Sequence, residues 1–411
     1  MKDSGIEWIG EVPQHWTLQK IATLYQVRNQ KVSDKDFPPL SVTMKGIVPQ
    51  LETAAKTNDG DNRKLVRVGD FAINSRSDRR GSCGISSYDG SVSLINTVLT
   101  PKGEMNPKYY NWLFHTVQFA DEYYKCGHGI VDDLWTTTWQ EMKRITIPTP
   151  PIDEQREIAE FLDKKCKEVD GLIADIQTQI DTLEQYKRST ITKAVTKGNG
   201  IFPKFIDSEI QLSLAIPSGW AIVKFKVICE HKSEVNSGDR ELLSVYLDRG
   251  VIRYSDSTNM QVHKPSESLD KYQNVDIGDF VMNNQQAWRG SVGVSKYRGI
   301  ISPAYHIFSL SKACNPNYMN YLFRDNFMVQ QYEFCSRGVG SIQRNIYVPW
   351  LKNCLVLLPP IDEQKSIAEY LDKKCAEIDA CIEEKKQQIS VLETYKKSII
   401  FEYVTGKKEV V

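Results

Sequence analysis

Arginine, asparagine and glutamine can make bidentate hydrogen bonds to guanine or adenine edges in a major groove. Serine, threonine and backbone groups can hold phosphate oxygens. The chain concentrates these types in glycine-bearing stretches. The first is Asn74-Ser75-Arg76-Ser77-Asp78-Arg79-Arg80-Gly81-Ser82, with Asn74, Arg76, Arg79, Arg80 and Ser82 as candidate DNA contacts. A second version lies 209 residues later, with Asn283, Asn284, Gln285, Gln286, Arg289 and Ser291 as candidates. Both versions keep Arg-Gly-Ser and change the polar residues before it, as expected if that tripeptide positions the loop and its neighbours read different bases. A further pair of stretches, Gly127 to Thr138 and Arg337 to Asn345, adds Thr136, Gln343, Arg344 and Asn345. Any one of these residues fits an ordinary polar β-turn equally well.

Catalytic motifs do not compete with this reading. The sequence has no GxxxxGKS/T loop, no strand-linked GxGxxG, no HExxH and no GxSxG. Asn315-Pro316-Asn317-Tyr318 is one residue away from a methyltransferase Asn-Pro-Pro-Tyr motif, and a capped helix start explains it better. Glu141-Met142-Lys143, with Asp132 and Asp133 upstream, could form half of a nuclease site. The second version of the region has Trp350 and Lys352 at the Glu and Lys positions. The six histidines are scattered, so no metal or catalytic residue is assigned.

The elements that must position the loops follow from a duplication. Pro150-Pro151-Ile152-Asp153-Glu154-Gln155 recurs as Pro359 to Gln364, 209 residues on. The same offset relates Gly69-Asp70-Phe71 to Gly278-Asp279-Phe280, Asn106-Pro107-x-Tyr109 to Asn315-Pro316-x-Tyr318, and Leu162 to Cys166 with Leu371 to Cys375. It also relates Tyr186-Lys187 to Tyr395-Lys396 and Val195-Thr196 to Val404-Thr405. Near the start the offset falls to 204, pairing Pro13 and Trp16 with Pro217 and Trp220. Chance does not give a colinear series across half a chain.

Each copy divides into a mixed part and a helical part, predicting domains at 1–149 and 201–358 and helical spacers at 150–200 and 359–411. The mixed parts hold short apolar runs such as Leu65–Ile73 and Val275–Met282, broken by turn signals. The spacers carry a narrow apolar seam at Val169, Ile173, Ile176, Ile180 and Leu183, and at Ile378, Ile382, Ile389 and Leu392, with Lys385 where Ile176 stood. The steps of four and three residues are those of a heptad. Helices of about 45 residues would span about 65 Å, and so narrow a stripe needs a partner, the nearest being the duplicate. The expected fold class is α+β: two mixed α/β domains separated by two long antiparallel coiled-coil helices, duplicated with pseudo-two-fold symmetry.

Composition bounds the partners. Lysine plus arginine equals aspartate plus glutamate at 52 each, so any nucleic-acid site arises from local charge separation. A slight cationic excess falls in the mixed parts and an acidic one in the spacers. Nine cysteines without a CxxC pair argue against a disulfide framework or a zinc cluster. With no 18-residue apolar run and no signal-peptide core at the start, no membrane contact and a cytoplasmic location are expected.

The opening Gly5-Ile6-Glu7-Trp8-Ile9-Gly10 with Pro13 and Trp16, the paired Pro-Pro-x-x-Glu-Gln helix starts, the Gly-Asp-Phe strands, and Tyr186-Lys187-x-Ser189 with Tyr395-Lys396-x-Ser398 resemble the specificity subunits of type I restriction–modification systems. The resemblance covers essentially the whole chain. It implies two target-recognition domains, each reading half of a bipartite asymmetric sequence in double-stranded DNA, with the helices fixing the unread gap. It also implies a subunit with no catalytic centre and no bound cofactor, serving two adenine methyltransferase subunits and the restriction/translocase subunits. S-adenosylmethionine, ATP and Mg would sit on those partners. Segments around Ile152–Leu162 and Ile361–Leu371 would help to dock the methyltransferases. Two other readings stay open, a coiled-coil scaffold without DNA contact and a catalytic methyltransferase or nuclease.

Overall fold

The structure is a computed structural model that describes residues 1–51, 59–129, 135–199, 205–207, 215–236, 240–257, 265–266, 268–339 and 343–410. It forms two compact units, Met1–Gln177 with Lys386–Val411, and Thr178–Lys385. Each unit therefore holds one mixed domain, the start of the long helix that follows it and the end of the other long helix.

In the first unit an antiparallel sheet runs Cys83–Ile85, Phe71–Asn74, Asn96–Pro101, Tyr25–Val27 in spatial order. The apolar run Leu65–Ile73 is two strands, Arg63–Val66 and Phe71–Asn74. Gly69 at φ +87° turns the chain between them, a conformation that costs glycine little. The helix Pro107–Phe114 packs on the sheet and begins as its residues dictate: the Asn106 side chain accepts the Lys108 N–H, and Pro107 sits where no amide donor is needed. Tyr25, Phe71, Tyr109, Tyr110 and Phe114 are buried together, with the Phe71 and Phe114 rings 4.8 Å apart.

The second unit repeats this plan. Its sheet runs Cys229–Lys232, Tyr305–Leu310, Phe280–Asn283, Val292–Val294. Its helix Pro316–Arg324 is capped by the Asn315 side chain, which accepts the Tyr318 N–H. Gly278 at φ +92° makes the turn that Gly69 makes in the first unit.

The long helices span Ile152–Lys197 and Ile361–Val404. In the first unit Phe161 lies against Tyr403 with ring centres 4.4 Å apart, and Lys396 Nζ donates to both Asp170 oxygens at 2.6 and 2.7 Å. The partner number falls as the residue number rises, so the helices run antiparallel there. In the second unit Lys187 Nζ donates to both Asp379 oxygens at 2.7 and 2.6 Å. These are one ion pair formed twice, since Asp379 and Lys396 are the copies of Asp170 and Lys187. Along the seam Val169, Ile180, Ile378 and Ile382 are buried, and Ile173, Ile176, Leu183, Ile389 and Leu392 are half-buried. Leu172 and Val391, off the seam, are exposed. Lys385, which replaces an apolar seam residue, hydrogen-bonds Gln179.

Each helix end is held by the mixed domain of its unit. Tyr109 Oη donates to the Val404 carbonyl at 2.7 Å, and Tyr318 Oη to the Val195 carbonyl at 3.4 Å. These tyrosines and carbonyls are again copies of one another. Among the described residues no helix is long and apolar enough to cross a membrane.

Candidate nucleic-acid interface

The two polar stretches singled out in each copy meet in space. In the first unit the Thr137 N–H donates to the Ser75 carbonyl at 2.9 Å, and Arg76 bridges Thr136, which also bridges His128. In the second unit the Ile346 N–H donates to the Asn284 carbonyl at 3.2 Å and to the Asn284 side-chain oxygen at 2.9 Å. Ser75 and Thr137 are the copies of Asn284 and Ile346, so the same backbone bond joins the same two loops in both copies. The hairpin Ser336–Val339 with Gln343–Ile346 pairs Arg337 with Asn345, which are the positions of His128 and Thr136 in the first copy.

The candidates separate into two groups. Asn74, Ser82 and Ser291 are 6%, 5% and 4% exposed, so their side chains offer little surface to DNA. Asn74 accepts the Arg76 N–H at 3.1 Å. Ser291 Oγ donates to the Val245 carbonyl at 3.2 Å. Both shape the loop from inside. Asn283 is committed in the same way, accepting the N–H groups of Gln285 and Gln286 at 3.0 and 3.2 Å, and Asn284 ties the loop to the hairpin. Arg76, Arg79, Arg80, Gln285, Arg289 and Asn345 are exposed, and Thr136, Gln286 and Arg344 are half-buried. The side chain of Gln343 lies outside the described residues.

The exposed cations differ in how they are held. Arg79 lies 3.5 Å from Asp78, and Arg80 pairs with Asp121 and lies over the Tyr124 ring. In the second unit Arg289 and Arg344 both lie over Trp288, at 4.6 and 4.9 Å from its ring centre, and Arg344 also reaches Glu333 at 3.2 Å. Arg337 lies 3.7 Å from the Tyr347 ring centre and 4.2 Å from that of Trp350. Arginine stacked on aromatic faces keeps its edge donors while losing rotamer freedom. Sequence reasoning placed Arg337 at the start of a candidate stretch without singling it out as a contact. A lone arginine preceding glycine gives no signal of rings that arrive through the return strand.

The half-nuclease motif is a helix cap. Glu141 accepts the Thr138 N–H at 2.9 Å and binds the Thr138 hydroxyl, closing a capping box. The Thr138 hydroxyl holds the Glu141 carboxyl below the usual carboxylate range. Asp132 and Asp133 lie outside the described residues.

The repeated motifs are braces. Asp70 takes a bidentate bond from Arg28 at 2.7 and 3.1 Å, the N–H of Arg67 at 2.9 Å and the Thr100 hydroxyl at 3.0 Å. In the second unit Lys232 reaches Asp276 at 2.6 Å and Asp279 at 3.1 Å. The Lys232 ammonium holds the Asp276 carboxyl low, whereas burial pushes that of Asp279 up. Gln155 and Gln364, closing the repeated hexapeptide, are buried and bond the backbone of Asn106 and Asn315.

Comparisons with known proteins give one answer. The family model of the type I restriction modification DNA specificity domain matches residues 13–182 and 217–393. The type I restriction enzyme MjaVIII specificity subunit of Methanocaldococcus jannaschii is 26% identical over 426 aligned positions, covering 96% of this chain and 93% of that protein. Two solved structures share the fold. A chain from work on complex assembly and conformational transition of the type I R-M system has a TM-score of 0.70 at 13% identity, covering 97% of this chain and 100% of that one. The HsdS subunit from Thermoanaerobacter tengcongensis has a TM-score of 0.52 at 15% identity, with coverage of 99% and 100%.

Proposed function

The chain belongs to the type I restriction–modification DNA specificity family, and we propose that its two recognition domains each read one half of a bipartite, asymmetric DNA target. It is a sequence-specific DNA recognition subunit that directs its enzyme complex, and it is not itself catalytic. The observation that carries the two-part reading is the repeated joining of the same two loops, by the same backbone bond, with different exposed side chains in each copy. A shared scaffold with unlike side chains is what reading two unlike half-sites requires.

Mapping N6-methyladenine across the genome of the native host, with and without this gene, tests the reading. Methylation should vanish at one two-part sequence with a fixed gap. An unchanged methylome with the partner subunits expressed would overturn it in favour of a scaffold.

The partners are those that the resemblance to type I specificity subunits implies. Two methyltransferase subunits would bind, one to each copy, with restriction/translocase subunits completing the complex in the cytoplasm. S-adenosylmethionine, ATP and Mg would be held by those partners. Tyr395 in the first unit and Tyr186 in the second are copies of one position, 44% and 51% exposed on the long helices. Repetition of a large exposed aromatic at one helical position supports docking at both. Changing both to alanine should reduce methyltransferase co-purification at least tenfold while leaving helix content by circular dichroism unchanged. Undiminished co-purification would place the docking face elsewhere.

A further inference from the structure

The geometry points to Arg337 as the residue through which the second recognition domain reads a guanine, from a two-stranded ribbon inserted into the major groove. The inference rests on the DNA-recognition reading and names the element and base type that reading leaves open. Four observations carry it. Arg337 and Asn345 are paired across the hairpin, so their side chains leave the same face of the ribbon, and both are exposed. Among the described residues no carboxylate pairs with Arg337, in contrast to Arg79, Arg80 and Arg344. The guanidinium is flanked by Tyr347 and Trp350 at 3.7 and 4.2 Å, and those rings meet edge to face at 5.3 Å. The clamp is rooted in the core, because the Tyr347 N–H donates to the Cys335 carbonyl at 2.8 Å and Ile346 and Leu351 are buried.

A guanidinium seated in the angle between two perpendicular rings is held in place with its remaining edge free, and that edge can present the fork that matches the O6 and N7 of guanine. A major groove admits a two-stranded ribbon, and an asparagine beside the arginine can address an adjoining adenine. A phosphate would accept the same fork, so the base-by-base profile and the salt dependence below distinguish the two contacts. The first copy has His128 and Thr136 at these two positions, so the ribbon positions would differ in what they read.

The test uses the complete methyltransferase complex on duplexes in which every base pair of both half-sites is varied in turn. Arg337→Ala should lower methylation of the native target roughly ten- to a hundredfold. Discrimination should be lost at a single G·C pair of one half-site, and the other half-site should be read as before. Arg337→Lys should lose the same discrimination, and Trp350→Ala should weaken it at the same base pair. Arg337 is exposed, and an unchanged melting curve confirms that the variant folds. Equal weakening on all sequences with a salt slope reduced by about one would overturn the inference in favour of a phosphate contact. An unaltered profile would overturn it outright. In both cases wild-type complex that still methylates a two-part site shows that the DNA-recognition reading stands. Wild-type complex with no sequence preference would overturn that reading instead.

Discussion

Replacing Asp70 by alanine is expected to destabilise the first unit by about 3–5 kcal/mol, the range for removing one member of a buried ion pair. The carboxylate is 2% exposed and is the acceptor for Arg28, the Arg67 amide and the Thr100 hydroxyl. Its loss leaves the Arg28 guanidinium, 26% exposed, partly buried without its partner, and frees the turn that launches the strand Phe71–Asn74. That strand leads directly into the loop bearing Arg76, Arg79 and Arg80. Hydrogen exchange should therefore show protection lost in the first sheet and kept in the second, and methylation should fail through one half-site. Replacing Arg28 and Asp70 together by apolar residues should recover much of the loss, because the stranded charge goes with the pair. The matching change at Asp279 should cost less, since Asp276 keeps Lys232 paired at 2.6 Å. A loss below about 1 kcal/mol for Asp70→Ala would show that the brace is replaceable by water.

This asymmetry explains what could and could not be read from the sequence. The duplication, the capped helix starts at Asn106 and Asn315 and the heptad seam were legible because each depends on residues close in sequence or on a fixed period. The antiparallel pairing was legible too, from the alternation of mixed and helical parts along the chain, and Asp170 with Lys396 and Lys187 with Asp379 pair accordingly. The split of Leu65–Ile73 into two strands was missed because apolar content hides a turn that only Gly69 and the Asp70 carboxylate reveal. Within the candidate interface, residue type alone could not separate Asn74, spent inside the loop, from Asn345, exposed on the ribbon. Arg337 was not singled out for the converse reason. Its setting is made by Tyr347 and Trp350, which reach it only once the hairpin has formed.

The most conspicuous repeated motif, Pro-Pro-Ile-Asp-Glu-Gln, invites a functional reading, and Gln364→Ala decides between that and a structural one. Gln364 is fully buried. Its amide donates to the carbonyls of Pro359 and Ala313 at 2.9 and 3.0 Å, and its carbonyl accepts the Asn315 N–H at 2.7 Å. One side chain thus joins the start of a long helix to the cap of the helix Pro316–Arg324, 49 positions away in sequence. Alanine would leave the buried Pro359 carbonyl without this partner, at about 1–3 kcal/mol, and the partly buried Ala313 carbonyl and Asn315 N–H, at about 1 kcal/mol each, and a loss of about 3–5 kcal/mol in the second unit is expected. Gln155 makes two such bonds, so Gln155→Ala should cost about 2–4 kcal/mol in the first unit. Denaturant unfolding gives the magnitudes, and amide exchange at Asn315 and Asn106 gives the location. If the motif were instead a docking surface, Gln364→Ala would leave stability within about 1 kcal/mol and would abolish methyltransferase binding. Burial of both glutamines makes the opposite outcome the expected one: partner binding falls only as far as the folded fraction falls. The motif then repeats because each recognition domain needs its own bolt to its long helix.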